Sequence, residues 1–212
     1  MARSAYEVAR LAYSDVVRWT KILEEIRTGE KYIALSYEDA RRSIEAFHRS
    51  GDVDVIKSAV ADLRQKATIA VEERYSRQPR NNAEVLEGYL RHFARPYREF
   101  CRDMPPAFDT YAIDIEGLKI TGKPHFSVRA ARGKEKFIYL LTSKSMTADE
   151  KGLLVSILAE IVVSKVPGSS TKDVEGLDCR TGDRIVRNGL GSKLRSRVEH
   201  IARHLVESGL AA

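Results

Sequence analysis

Cysteine, tryptophan and proline are scarce in this 212-residue chain: two, one and six residues respectively. Cys101 and Cys179 lie far apart and form no Cys-x-x-Cys pair, which argues against a disulfide-built scaffold and a cysteine zinc ribbon and fits two reduced thiols. Long apolar runs are missing as well. The longest, around Leu153 to Val163, is too short for a bilayer and is interrupted by Ser156 and Glu160. Met1-Ala2-Arg3-Ser4 leads into an amphipathic helix rather than a cleavable apolar segment. A cytoplasmic protein without membrane contact is expected. There is no internal repeat, no low-complexity tract and no local context for a Ser-His-Asp or Cys-His nucleophile.

What is present is an ordinary globular composition, 43% hydrophobic and 31% charged, with enough chain for one domain or slightly more. Basic residues outnumber acidic ones 36 to 30. The excess is uneven: up to Ala107 there are 19 basic and 17 acidic residues, and beyond it 17 and 13. A nucleic-acid partner is compatible with that balance and is easiest to place in the second half.

Periodicity divides the chain into a helical region, residues 1–104, and an α/β core, residues 105–212. Val8, Leu11, Val16, Trp19, Ile22 and Ile26 predict one helix over about 5–27. Ser36 and Asp39 resemble a capping box opening a second helix with Ala40, Ile44 and Phe47 inward. A third carries Ile56, Val60, Leu63 and Val71. Arg77-Gln78-Pro79-Arg80-Asn81 reads as a loop, and a fourth helix from about Asn82 reaches Phe100 with a kink at Pro96. Within that helix, Arg91, Arg95 and Arg98 form a candidate basic patch.

Beyond Met104-Pro105-Pro106 the period becomes alternating. Strands are predicted over about 111–116, 118–121, 126–131 and 137–142, the last apolar without alternation as in a strand covered on both faces. Thr147 and Glu150 cap a helix that is apolar nearly all round and must be buried. A strand pair over 174–186 turns at Thr181-Gly182-Asp183, and a final helix spans about 192–208. The expected fold class is α+β: an amino-terminal helical region, then a small mixed β-sheet core flanked by helices.

From Phe108 to Arg187 this order of elements resembles the RecB-like branch of the PD-(D/E)XK nucleases, so a restriction-endonuclease-like core is expected. In that family a strand with a Gly-x-Pro-Asp element supplies one metal ligand and the next strand supplies Glu-x-Lys. Magnesium takes hard oxygen ligands and activates water, and the lysine stabilises developing charge. Here Gly122-Lys123-Pro124-His125 matches the first element with histidine in place of the aspartate. Phe137-Ile138-Tyr139-Leu140-Leu141 matches the second without acid or lysine, and Lys144 falls beyond it. The resemblance therefore implies a catalytically inactive, nuclease-like protein that binds nucleic acid or a nucleoprotein complex, in a setting such as bacterial DNA repair or phage defence. No cofactor and no catalytic residue are expected.

Candidate nucleic-acid contacts are Arg129, Arg132, Lys134, Lys136, Lys193, Arg195 and Arg197. The last three follow Asn188-Gly189-Leu190-Gly191-Ser192, a glycine turn at a helix start that suits an anion but lacks Walker spacing. Two alternatives stay open. An active nuclease would bind Mg²⁺ through relocated acids Asp114, Glu116 and Asp183, with Asp173, Glu175 and Asp178 nearby in sequence. A protein-binding adaptor would need no nucleic acid. His200 and His204 share a helix face at metal-ligand spacing but have no third ligand in sequence, and read as surface or partner-paired histidines.

Overall fold

The computed structural model describes residues 2–28, 37–94, 97–103, 111–130, 134–143 and 145–209. The protein is α+β, with two small mixed sheets and seven helices among those residues. Chain order is β1 (Ala2–Ser4), α1 (Ala5–Ala12), α2 (Val16–Thr28), α3 (Glu38–Ser50), α4 (Asp54–Ile69) and α5 (Glu73–His92). Then come β2 (Tyr97–Asp103), β3 (Ala112–Ile115), β4 (Leu118–Thr121), β5 (Phe126–Ala130) and β6 (Glu135–Leu141). Helix α6 (Ala148–Lys165), β7 (Val174–Asp178), β8 (Arg184–Val186) and α7 (Ser192–Glu207) complete it.

The five-stranded sheet has the order β2-β5-β6-β7-β8. Its first three strands form an antiparallel meander, α6 crosses over, β7 lies parallel to β6, and β8 returns antiparallel. The smaller sheet, β1-β4-β3, joins residues 2–4 in parallel to β4. Helix α6 lies between the two: Leu153, Leu154, Ile157, Leu158 and Ile161 are all buried in one core with α1, α7, β4 and the Phe137 and Leu141 face of β6. That placement is why the helix has no polar face. Its start carries the expected capping box between Thr147 and Glu150. On the other face of the large sheet, Phe126, Val128, Ile138, Leu140 and Leu177 meet Ile44, Phe47, Ile56, Leu86 and Tyr89 of α3 to α5. Residues from both sides of position 104 thus build both cores. No helix among the described residues is long and apolar enough to cross a membrane.

Three local expectations are corrected, and one lies outside the described residues. The first helix is two helices: Ser14 Oγ donates to the Arg10 carbonyl, Trp19 Nε1 donates to that of Leu11, and Asp15 accepts the Arg18 N–H at 2.8 Å, so α1 is closed and α2 opened within three residues. The loop at 77–81 is helix, with Pro79 inside α5. It persists because Asn82, fully buried, accepts the Ala40 N–H at 2.9 Å and donates to the Gln78 carbonyl at 3.0 Å, tying α5 to the start of α3. No side-chain hydrogen bond from Tyr37 caps α3; Ser36, the expected cap, lies outside the described residues. The fourth helix stops at His92, and Tyr97–Asp103 is a strand. Arg98 is therefore on β2, while Arg95 and Pro96 lie outside the described residues.

Candidate functional site

Strand β5 begins late, and the reason is local. The β5–β6 register pairs Phe126 with Ile138, so its continuation sets Leu140 opposite Pro124, which has no N–H. His125 ties the start of the strand to β6 in two ways: its own N–H donates to the Ile138 carbonyl at 2.8 Å, and its ring Nδ1 accepts the Leu140 N–H at 2.9 Å. An imidazole that accepts at Nδ1 is neutral there, with its proton on Nε2. The same ring stacks on Tyr139, centroids 4.5 Å apart and planes 21° from parallel.

Electrostatics keep both rings uncharged. Burial, and next the Arg41 guanidinium, push His125 down to about 4, against a smaller opposing pull from Glu38. Burial, with Tyr6 adding to it, raises Tyr139 to about 12. Lys123 is also lowered, first by burial and then by Arg41. Arg41 in turn bridges Glu38 at 2.5 Å and Glu45 at 3.2 Å, so the charges around the pair are largely matched. His125 stands where the resemblance expects an aspartate, and Tyr139 is on the strand where it expects Glu-x-Lys; both rings are neutral.

The acids of the nuclease alternative are apart. Asp114 accepts the Gly117 N–H at 3.1 Å within the β3–β4 hairpin, in the small sheet. Glu116 is in the turn of that hairpin with φ 53°, beyond the end of β3 although a strand was expected to reach it, and lies 4.0 Å from Arg203. Asp183 closes the β7–β8 turn, accepting from the Thr181 hydroxyl at 2.7 Å. The neighbouring acids are committed to cations. Glu175, fully buried, pairs with Arg184 at 2.7 Å and lies 3.6 Å from Lys136; Asp173 holds Lys136 at 3.1 Å. Asp178 pairs with Lys151 at 2.5 Å; burial works against its charge, but Lys151 and the Arg180 N–H together hold it below the usual carboxylate range. Among the described residues no group of three or more His, Cys, Asp or Glu side chains is gathered as metal ligands would be. His204 packs edge-on against Trp19, centroids 5.0 Å apart.

The candidate nucleic-acid contacts divide. Lys136 is turned inward, its ammonium also donating to the Lys172 carbonyl at 2.8 Å. Arg197 lies over the Tyr13 ring, 4.4 Å from its centroid. Arg195 is 3.5 Å from Glu160, whose other oxygen accepts the Leu190 N–H at 2.9 Å, so a carboxylate of α6 already meets the glycine turn. Arg129, Lys134 and Lys193 are exposed, and Arg132 lies outside the described residues. Sequence reasoning passed over Arg187, an exposed side chain laid along α6 beside Gly152. The signal was the run from Arg184 to Val198, five basic residues and no acid.

No protein-family model matches the chain, and no curated protein matches it in sequence.

Proposed function

We propose that the chain is a catalytically inactive, nuclease-like protein that binds nucleic acid in the cytoplasm, alone or within a nucleoprotein complex. The observation that carries this reading is the stacked His125–Tyr139 pair: neutral, mutually packed and hydrogen-bonded to the backbone where a PD-(D/E)XK core would offer oxygen ligands to a divalent ion. The meander, buried crossover helix and parallel strand support it by matching the order of elements expected of such a core. Exposed cations at Arg129, Lys134, Lys193 and Arg195 supply the electrostatic part of binding. A setting in DNA repair or phage defence follows from the resemblance alone.

The test is binding and cleavage of labelled DNA and RNA with Mg²⁺ or Mn²⁺ present. Binding that weakens steeply between about 50 and 200 mM salt, without cleavage, is the expected result. Cleavage lost on Asp114→Ala would transfer the function to the nuclease with relocated acids. Binding indifferent to salt would remove the phosphate-contact reading.

One observation favours the adaptor as the second reading. Ile69, Val71 and Tyr75, at 70%, 99% and 60% exposure, crowd the turn between α4 and α5, an apolar cluster that a protein partner would cover. Val71→Asp should abolish partner binding under that reading and leave nucleic-acid binding intact under the first.

A further inference from the structure

The five cations between Arg184 and Val198 lie on consecutive stretches of the chain, from β8 through the glycine turn to the first turns of α7, which meet α6 through Arg187 beside Gly152 and through Glu160. Strand β8 is the outermost strand of its sheet, so one of its edges faces away from the other strands. Arg187 extends from its end across α6, where a Cβ on Gly152 would meet its Nη2 at 3.0 Å. Eight residues along the same face of α6, Glu160 takes the Leu190 N–H and approaches Arg195. At 1.5 Å per residue those two α6 positions are about 12 Å apart, so the cations beside them are spread as a surface rather than gathered in a single-anion pocket. Gly189 is needed for this path: its φ is +81°, and a Cβ there would lie 2.3 Å from a Glu160 oxygen.

Charge is left over on this surface. Glu160 is the one carboxylate among the described residues seen to engage the turn and α7's start, and the first turn of α7 contains no acid. Arg187 and Lys193 are exposed and have no carboxylate partner among the described residues. Arg184 keeps 52% of its side chain in solvent beyond its bond to Glu175, and Lys172 is exposed nearby, next to Thr171, which packs against Gly189. No aromatic residue occurs from Arg184 to Val198, and the ring that meets this stretch, the half-buried Tyr13, has the Arg197 guanidinium laid over it. Among the described residues the exposed large aromatic is Tyr75, on the α4–α5 turn. Single-strand binding draws on rings that stack bases, whereas a duplex is held through its phosphates by cations and other donors without any stacking ring.

We infer that the β8–α7 face, with Arg187 and Lys193 as its principal contacts, binds the phosphate backbone of a nucleic-acid duplex without reading its sequence. This rests on the nucleic-acid-binding reading above and adds to it the face and the strandedness of the ligand.

The test compares wild type, Arg187→Ala/Lys193→Ala and a control, Lys66→Ala/Arg77→Ala, whose cations are exposed on α4 and α5. Each is titrated with a random-sequence duplex and with its single strands at several salt concentrations, after melting curves show equal stability. The inference expects wild type to prefer duplex, the double variant to bind it at least tenfold more weakly at low salt with a salt slope shallower by about two, and the control to match wild type. Unchanged duplex binding by the double variant overturns the inference and leaves nucleic-acid binding itself standing. Preference of wild type for single strands does the same. Wild type that binds neither ligand overturns both this inference and the reading it rests on.

Discussion

Acidification should destabilise this protein through His125, and the size of the effect follows from how far burial lowers its titration. In the unfolded chain the imidazole titrates near 6.5, whereas in the fold it resists protonation until about 4. A lowered folded value means that the unfolded state takes up the proton first as pH falls, so stability is complete above about 6.5 and declines from there to about 4. At about 1.4 kcal/mol per unit, the loss across that window is about 3–4 kcal/mol, after which both states are protonated and the contribution stays flat. Urea unfolding at a series of pH values measures it. Carboxylates also titrate toward the lower end, so the informative quantity is the difference from His125→Asn, whose side-chain oxygen is able to accept the Leu140 N–H but carries no proton equilibrium. His125→Leu at neutral pH leaves that N–H without its acceptor and should cost about 1–3 kcal/mol, with up to about 1.5 more for the lost stack on Tyr139. Equal pH slopes for wild type and His125→Asn between about 6.5 and 4.5 would refute a His125 held neutral by its surroundings.

Three other substitutions or reagents probe the packing. Gly88→Ala on α5 would bring a methyl group to 1.7 Å from the Cys179 carbonyl oxygen, so the helix must move off the sheet; a loss of about 3 kcal/mol or more in urea is expected, and an unchanged midpoint would contradict the close approach. Glu116 holds a left-handed turn conformation at φ 53° and gains little from exposed Arg203 at 4.0 Å, so Glu116→Asn should stabilise by about 0.5–1 kcal/mol in the same assay. The Cys179 thiol, fully buried and pushed up to about 12 by burial and then by Asp178, should resist iodoacetamide in the native protein and react on unfolding; peptide mass spectrometry distinguishes the two.

The carboxyl-terminal half was readable because its signals are short-range. Thr147 and Glu150 start α6 as their spacing predicts, and the absence of a polar face announces a helix enclosed by other layers. The amino-terminal half carries long-range decisions. Pro79 and its polar neighbours look like a turn, and only the bond from Asn82 to the start of α3 shows why helix persists there. Strand β2 hid for a different reason: its pairing with β5 slips between Tyr97 and Phe100 and again before Arg102, which erases alternation and leaves the apolar residues at helical spacing. At the candidate site, His125 and Tyr139 stood out as the wrong chemistry in a familiar order. Their stacking did not, since it depends on the His125 ring turning onto the next strand to accept the Leu140 N–H, a pairing that no local pattern announces.

The parallel pairing of Ala2–Ser4 with Lys119 to Thr121 sets an order of events on the ribosome. Strand β1 emerges well before β4 and has nothing to bind until β4 has been made, and the apolar side of α1, Val8 and Leu11, waits longer still for α6. Throughout that interval the nascent chain exposes a sticky helix, so residence on a chaperone and sensitivity to translation speed should centre on this segment rather than on the sheet that follows.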